Sequence, residues 1–116
     1  MVNERRTEGA DCGSAGVFDP ADPLTLDPAL TEAARLHSLW MGTENYYSHD
    51  SPGGPNGDDL FERLESAGYT GWTYAGENIA ANVSNPTEVM QGWMQSDGHR
   101  ANIMNPDFTE IGIGYA

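Results

Sequence analysis

The sequence has no lysine. Its five basic residues are all arginine, set against 18 acidic ones, and the formal net charge is −13. A field of that sign repels phosphate backbones and anionic membrane surfaces, which argues against nucleic acid as a partner. Without lysine there is also no phosphate-cradling glycine loop that ends in Lys. Cysteine is equally scarce. Cys12 stands alone in a short Gly- and Ser-containing segment, so no intrachain disulfide can form, and pairing between chains stays open. No apolar run reaches the length of a transmembrane helix, and no signal-peptide core is present. Met1 therefore reads either as a cytoplasmic start or as a start placed after a removed signal.

What remains fits one domain. The chain has 116 residues and is 38% hydrophobic, with three Trp, five Tyr and three Phe as core material. Fourteen glycines and seven prolines point to short elements joined by many turns. The acidic surface suits cation binding or high-salt surroundings, and it is also what ordinary solvation produces.

Helices dominate the first two-thirds. Residues 1–8 can open with a helix, and residues 9–26 read as a loop broken by Gly9, Gly13, Gly16, Pro20 and Pro23. Asp27-Pro28 then starts a helix: Asp caps free amides, and Pro fits the first helical position because it has no N–H to leave unpaired. Leu30, Ala33, Ala34, His37, Trp40 and Met41 fall on one face, and Gly42 offers a stop. After the turn-rich stretch 51–57, a second helix runs from Asp58 or Asp59 to Ala67, with Leu60, Phe61 and Leu64 inward and Gly68 at its left-handed end. Thr70 to Tyr74 reads as a short strand. Asn85, Pro86 and Glu88 form a capping-box start for a third helix with Val89, Met90, Trp93 and Met94 as its stripe. A short helix covers His99–Met104. Ile111, Ile113 and Tyr115 alternate with Gly112 and Gly114, a strand pattern whose glycines imply close approach of another element. The class is α+β, helices packed on a small sheet.

Three histidines are present. His37 lies on an apolar helix face and reads as a core histidine with one hydrogen bond. His49 and His99 sit in polar, turn-rich settings at element boundaries, where functional groups tend to be displayed. Glu77, between Gly76 and Asn78, is a carboxylate in a tight segment flanked by apolar residues, a place where a charge is usually paired or bound. Two imidazoles and a carboxylate can hold a divalent ion with an open position for water, or do acid–base work with the carboxylate fixing a tautomer. Ser96 near His99 suggests a Ser–His–Glu77 triad on paper, but no nucleophile elbow surrounds it.

Three segments together resemble a family. They are Gly76-Glu77-Asn78-Ile79-Ala80, the run Gly92 to Pro106 through Gly98-His99-Arg100-Ala101-Asn102, and Phe108-Thr109-Glu110-Ile111-Gly112-Ile113-Gly114. They are similar to bacterial members of the CAP superfamily: cysteine-rich secretory proteins, antigen 5 and pathogenesis-related 1 proteins, also called SCP-like extracellular domains. Tyr47-Ser48-His49-Asp50 resembles the segment with the family's first cleft histidine, and Val2-Asn3-Glu4-Arg5-Arg6 the opening helix. The resemblance covers nearly the whole chain, residues 1–116, as one domain.

It implies a three-layer α-β-α sandwich with a small central antiparallel sheet, and an extracellular, secreted location. It also implies a central cleft lined by His49, Glu77 and His99, with Asn78 and Ser96 beside them. Ser96 stands where the eukaryotic pattern has a second glutamate, which weakens the metal set. The family generally continues past the Gly-x-Gly strand to a further strand, so by the resemblance a chain that stops at Ala116 reads as lacking that strand, as a fragment or as a minimal variant. The leading expectation is a secreted binding protein whose cleft holds a divalent cation, Zn²⁺ first, through His49, His99 and Glu77. Glu77 would act there as a ligand or as a group orienting an imidazole. The alternatives are a metal-dependent hydrolase, with Glu77 and His99 catalytic, and a metal-free His–Glu network in a module that binds a small molecule, lipid or protein.

Overall fold

The computed structural model describes residues 1–116. They group into two compact units interleaved along the chain: residues 1–24 with 80–109, and residues 25–79 with 110–116.

The first unit holds helix α1 (Val2–Glu8), strand β1 (Ala10–Asp11), a 3₁₀ turn (Gly13–Ala15), strand β2 (Val17–Phe18), and helices α4 (Pro86–Met94) and α5 (Asp97–Met104). Its core is Cys12, Met90, Ile103 and Met104, packed by Val2, Phe18, Trp93 and Met94. Cys12 is fully buried, so its thiol serves as a small apolar group. The Asn85 side chain accepts from the Glu88 amide at 3.0 Å, and the Glu88 carboxylate accepts from the Ser84 amide at 3.4 Å. The expected cap is therefore present, with its return bond one residue early. The expected loop over residues 9–26 in fact contains a two-residue antiparallel ladder, Ala10↔Phe18 and Asp11↔Val17. So short a ladder carries no period that a sequence pattern can reveal.

Arg6 fastens this unit. It is 1% exposed, and its guanidinium donates to the carbonyls of Asp22, Ile103, Asn105 and Phe108 at 2.6, 2.8, 3.0 and 3.2 Å. The last carbonyls of a helix have no partner within it. Arg6 supplies donors at the end of α5 and ties it to α1.

The second unit holds strand β3 (Thr25–Leu26), helices α2 (Pro28–Glu44) and α3 (Leu60–Ser66), and strand β4 (Glu110–Ile111). Asp27 caps α2 by accepting from the Leu30 amide at 2.9 Å. The helix does not stop at Gly42. It continues to Glu44 and closes on Asn45, whose φ of 55° is the left-handed conformation that Asn tolerates best after Gly. Asp59 caps α3, and Gly68 closes it at φ 89° as expected.

The class is α+β, and its strands form two separate pairs, one per unit. β1 and β2 run antiparallel, whereas β3 and β4 run parallel, Thr25 opposite Glu110 and Leu26 opposite Ile111. A parallel pair needs a long connection, which residues 27–109 provide. Beyond β4 the chain leaves the ladder and lies along α2. A Cβ on Gly112 would strike the backbone of Leu30 and Thr31, and one on Gly114 that of Ala34 and Arg35. The glycines thus mark the close approach read from the sequence, but Ile113 and Tyr115 are exposed and unpaired in any ladder. Residues 70–74 form no strand either. Gly71 has φ 75°, and Trp72 stacks on Phe61 at 5.3 Å, so the aromatic there serves side-chain packing. Phe61 is correspondingly half exposed rather than inward, and Arg63 takes the buried face beside Leu64.

No helix is long and apolar enough to cross a membrane.

Candidate functional site

The site of the second unit is built on the segment that leaves α2. Two buried side chains, one from each helix, hold consecutive carbonyls of that segment. His37 of α2 places Nε2 2.8 Å from the Ser48 carbonyl, and Arg63 of α3 donates from Nη2 to the His49 carbonyl at 2.9 Å. Arg63 Nη1 also donates to Ser51 Oγ at 2.7 Å, and Ser51 Oγ donates to the Gly57 carbonyl at 2.7 Å. The 51–58 turn closes on the same residue, with the Ser51 amide donating to the Asp58 carbonyl at 2.7 Å. His49 therefore stands on a backbone fixed from below.

The segment around Glu77 runs alongside. The Tyr47 hydroxyl donates to the Ile79 carbonyl at 2.9 Å. Two residues along each segment, His49 Nδ1 lies 2.8 Å from Glu77 Oε1. Arg63 Nη2 reaches both oxygens of the same carboxylate, Oε1 at 3.2 Å and Oε2 at 3.0 Å. The three side chains form a gradient from the interior outward: Arg63 is 3% exposed, Glu77 15% and His49 55%.

That order dictates the chemistry. Both oxygens of the Glu77 carboxylate accept from Arg63, and a carboxylate in an ion pair can only accept. The hydrogen between His49 and Glu77 therefore belongs to Nδ1, an assignment inferred from the bonding pattern. Nε2 is then the ring's acceptor, on a half-exposed side chain. The geometry presents an oriented imidazole able to take a proton, accept a hydrogen bond or bind a metal ion.

His37 is the core histidine read from the sequence, with its one hydrogen bond. Burial, and after it the nearby Arg63 charge, push its pKa below the ordinary imidazole value. It is thus neutral, with Nε2 as donor and with Nδ1 buried and without a protein partner. A cavity of about 10 Å³ adjoins His37, Trp40, Ser51 and Arg63, room for one water-sized group and not for a substrate.

Of the residues singled out in the sequence, His49 and Glu77 are brought together, and Asn78 follows Glu77 half-buried. His99 and Ser96 are carried by α5 of the first unit. Ser96 holds the helix's N-cap position without a side-chain cap bond, and His99 is half-buried in the first turn. Within the second unit no third His, Cys, Asp or Glu joins His49 and Glu77 in a metal-ligand cluster. Arg63 and Ser51 were not anticipated. The signal for Arg63 was present: Leu60, Arg63, Leu64 and Ala67 fall at the helical spacing of one face, so a charged residue occupies an apolar position.

Comparison with known proteins agrees with this architecture. The family model described as cysteine-rich secretory protein family, CAP, matches residues 1–116. The uncharacterized protein YkwD of Bacillus subtilis strain 168 is 46% identical over 95 residues, covering 80% of this chain and 35% of that protein. The uncharacterized membrane protein YlbC of the same strain is 38% identical over 91 residues, covering 78% of this chain and 25% of its own length. Among solved structures, a 1.5 Å crystal structure of an extracellular protein containing a SCP domain from Bacillus anthracis strain Ames superposes with a TM-score of 0.75 at 38% identity. That match covers 83% of this chain and 31% of the other. The chain thus spans about a third or less of the length of these relatives. Matched by the family model from first residue to last, the chain belongs to the cysteine-rich secretory protein, or CAP, family.

Proposed function

We propose that the chain is a secreted CAP-domain binding module whose recognition group is His49. The observation that carries this reading is the 2.8 Å bond from Nδ1 to Glu77 on a side chain that is 55% exposed. An imidazole fixed on one nitrogen, in a side chain that is half exposed, is prepared for a ligand. Similarity to the SCP-domain protein described as extracellular supports secretion.

A divalent cation, Zn²⁺ first, is the simplest ligand to assign, and the donor set fits it in part. A neutral imidazole nitrogen is a good zinc donor. Glu77 suits the orienting role better than the ligand role, because both its oxygens accept from Arg63. When bound, the ion would supply Lewis acidity at His49. The second reading, a hydrolase, draws on the same pair, since an imidazole with its Nδ1 hydrogen held by a carboxylate is half of a general-base system.

Zn²⁺ titration by calorimetry at neutral pH tests the cation, on the parent and on His49→Ala and His99→Ala separately. Saturable binding lost in His49→Ala supports the module reading, and retention or loss in His99→Ala decides whether that residue contributes. Binding unaffected by His49→Ala overturns it. Turnover of a peptide or cell-wall substrate, abolished by Glu77→Gln, favours the hydrolase instead.

A further inference from the structure

We propose that Arg63 is a positioning residue that selects the role of Glu77, occupying the carboxylate so that it orients His49 as a hydrogen-bond acceptor and does not serve as a metal ligand. The proposal rests on the reading of His49 as the recognition group and adds what sets its state.

Arg63 touches both halves of the pair. Its Nη2 donates to the His49 carbonyl at 2.9 Å and to the Glu77 oxygens at 3.0 and 3.2 Å, while Nη1 is anchored on Ser51 Oγ at 2.7 Å. At 3% exposure it cannot swing away without opening the unit. It stands beside the carboxylate as a built-in cation. A divalent ion bound directly to Glu77 would face that charge at close range, and one bound to His49 Nε2 lies a ring's width further off. Despite a net charge of −13, this carboxylate is thus withdrawn from the pool of cation ligands. Hard ions such as Ca²⁺ and Mg²⁺, which require oxygen donors, lose the carboxylate hydrogen-bonded to His49, whereas ions that accept a lone imidazole do not. Lysine would not substitute fully, because its single ammonium cannot span Ser51, the His49 carbonyl and both carboxylate oxygens in one plane.

The test is the tautomer of His49, read from ring ¹⁵N shifts in metal-free protein at a pH where the imidazole is neutral. The parent is expected to show the Nδ1–H form in excess by roughly 10-fold or more, the ratio a charge-assisted hydrogen bond supports. Arg63→Met, freed of the guanidinium, should show a mixture of both forms, and Arg63→Lys should fall between. A purely structural arginine would lower thermal stability in Arg63→Met and leave the tautomer ratio as in the parent, and that result overturns the proposal. If Arg63→Met does not fold, Arg63→Lys decides: a His49 tautomer ratio shifted toward a mixture supports the proposal, and a ratio equal to that of the parent overturns it. None of these readouts involves a ligand, so a failed Zn²⁺ titration counts against the function reading alone.

Discussion

Arg63→Met is the perturbation whose magnitude the structure defines best. Methionine keeps much of the apolar stem and removes every donor. Four acceptors lose a bond: Ser51 Oγ, the His49 carbonyl and both Glu77 oxygens. Ser51 Oγ keeps its own bond to Gly57, so the dominant loss is at Glu77. Breaking a buried ion pair by removing one partner costs about 3–5 kcal/mol, most of it from the charge left behind. Glu77 retains 15% exposure, which places the loss near the lower end, about 3 kcal/mol. For a domain of this size that shifts Tm down by roughly 10–15 °C. Adding Glu77→Gln removes the carboxylate charge that has lost its guanidinium. The double variant should recover about 1–2 kcal/mol relative to Arg63→Met alone, within the range seen for residues in direct contact. Urea unfolding followed by tryptophan fluorescence gives the three free energies, provided the m-values agree. A single-variant loss below about 1 kcal/mol would mean that the pair behaves like an exposed surface bridge, and the reasoning would fail. So would a double variant no more stable than the single one.

Three further outcomes follow from other groups. Arg6→Met removes donors from four carbonyls and leaves the end of α5 uncapped; it should cost at least about 4 kcal/mol, a large fraction of a small domain's stability, read as loss of a cooperative urea transition. His37 has a depressed pKa, so its stability contribution is present above the ordinary value of 6.5 and is lost as pH falls below it, where the unfolded chain binds a proton that the native chain resists. Unfolding free energy should therefore fall as the pH drops below 6.5, less steeply in His37→Gln, and a flat parent profile would contradict this. Tyr69 donates to Glu110 Oε1 at 2.9 Å, and burial with that bond pushes its pKa up to about 12. Its contribution is present below the ordinary value of 10.0 and is lost as pH rises through 12. Ultraviolet titration should show one late phenol that is absent in Tyr69→Phe.

What could be read in the sequence separates from what could not by the range of the interaction. Asp27-Pro28 and Asn85-Pro86-Glu88 announced their helices because a cap acts within four residues. Gly112 and Gly114 announced a close approach because only a missing side chain permits it, and the neighbour is helix α2. His49 and Glu77 were legible, with His99, as members of one candidate set through their local settings and the family resemblance, and the bond between His49 and Glu77 is what the structure adds. The two buried arginines were not. Arg63 finds its acceptors 12 and 14 residues away, and Arg6 finds three of its four at separations of 97, 99 and 102 residues. A charge at an apolar helical position says that something must satisfy it, but not what. These two sites also give physical sense to the shortage from which the sequence starts. Each needs one cation to serve several acceptors spread across a plane inside the protein. A guanidinium does that with five donors in a rigid fork, while an ammonium presents three around a single point. At these two positions the choice of arginine over lysine is set by geometry as well as by charge, so Arg63→Lys should preserve the charge and lose part of the alignment of His49.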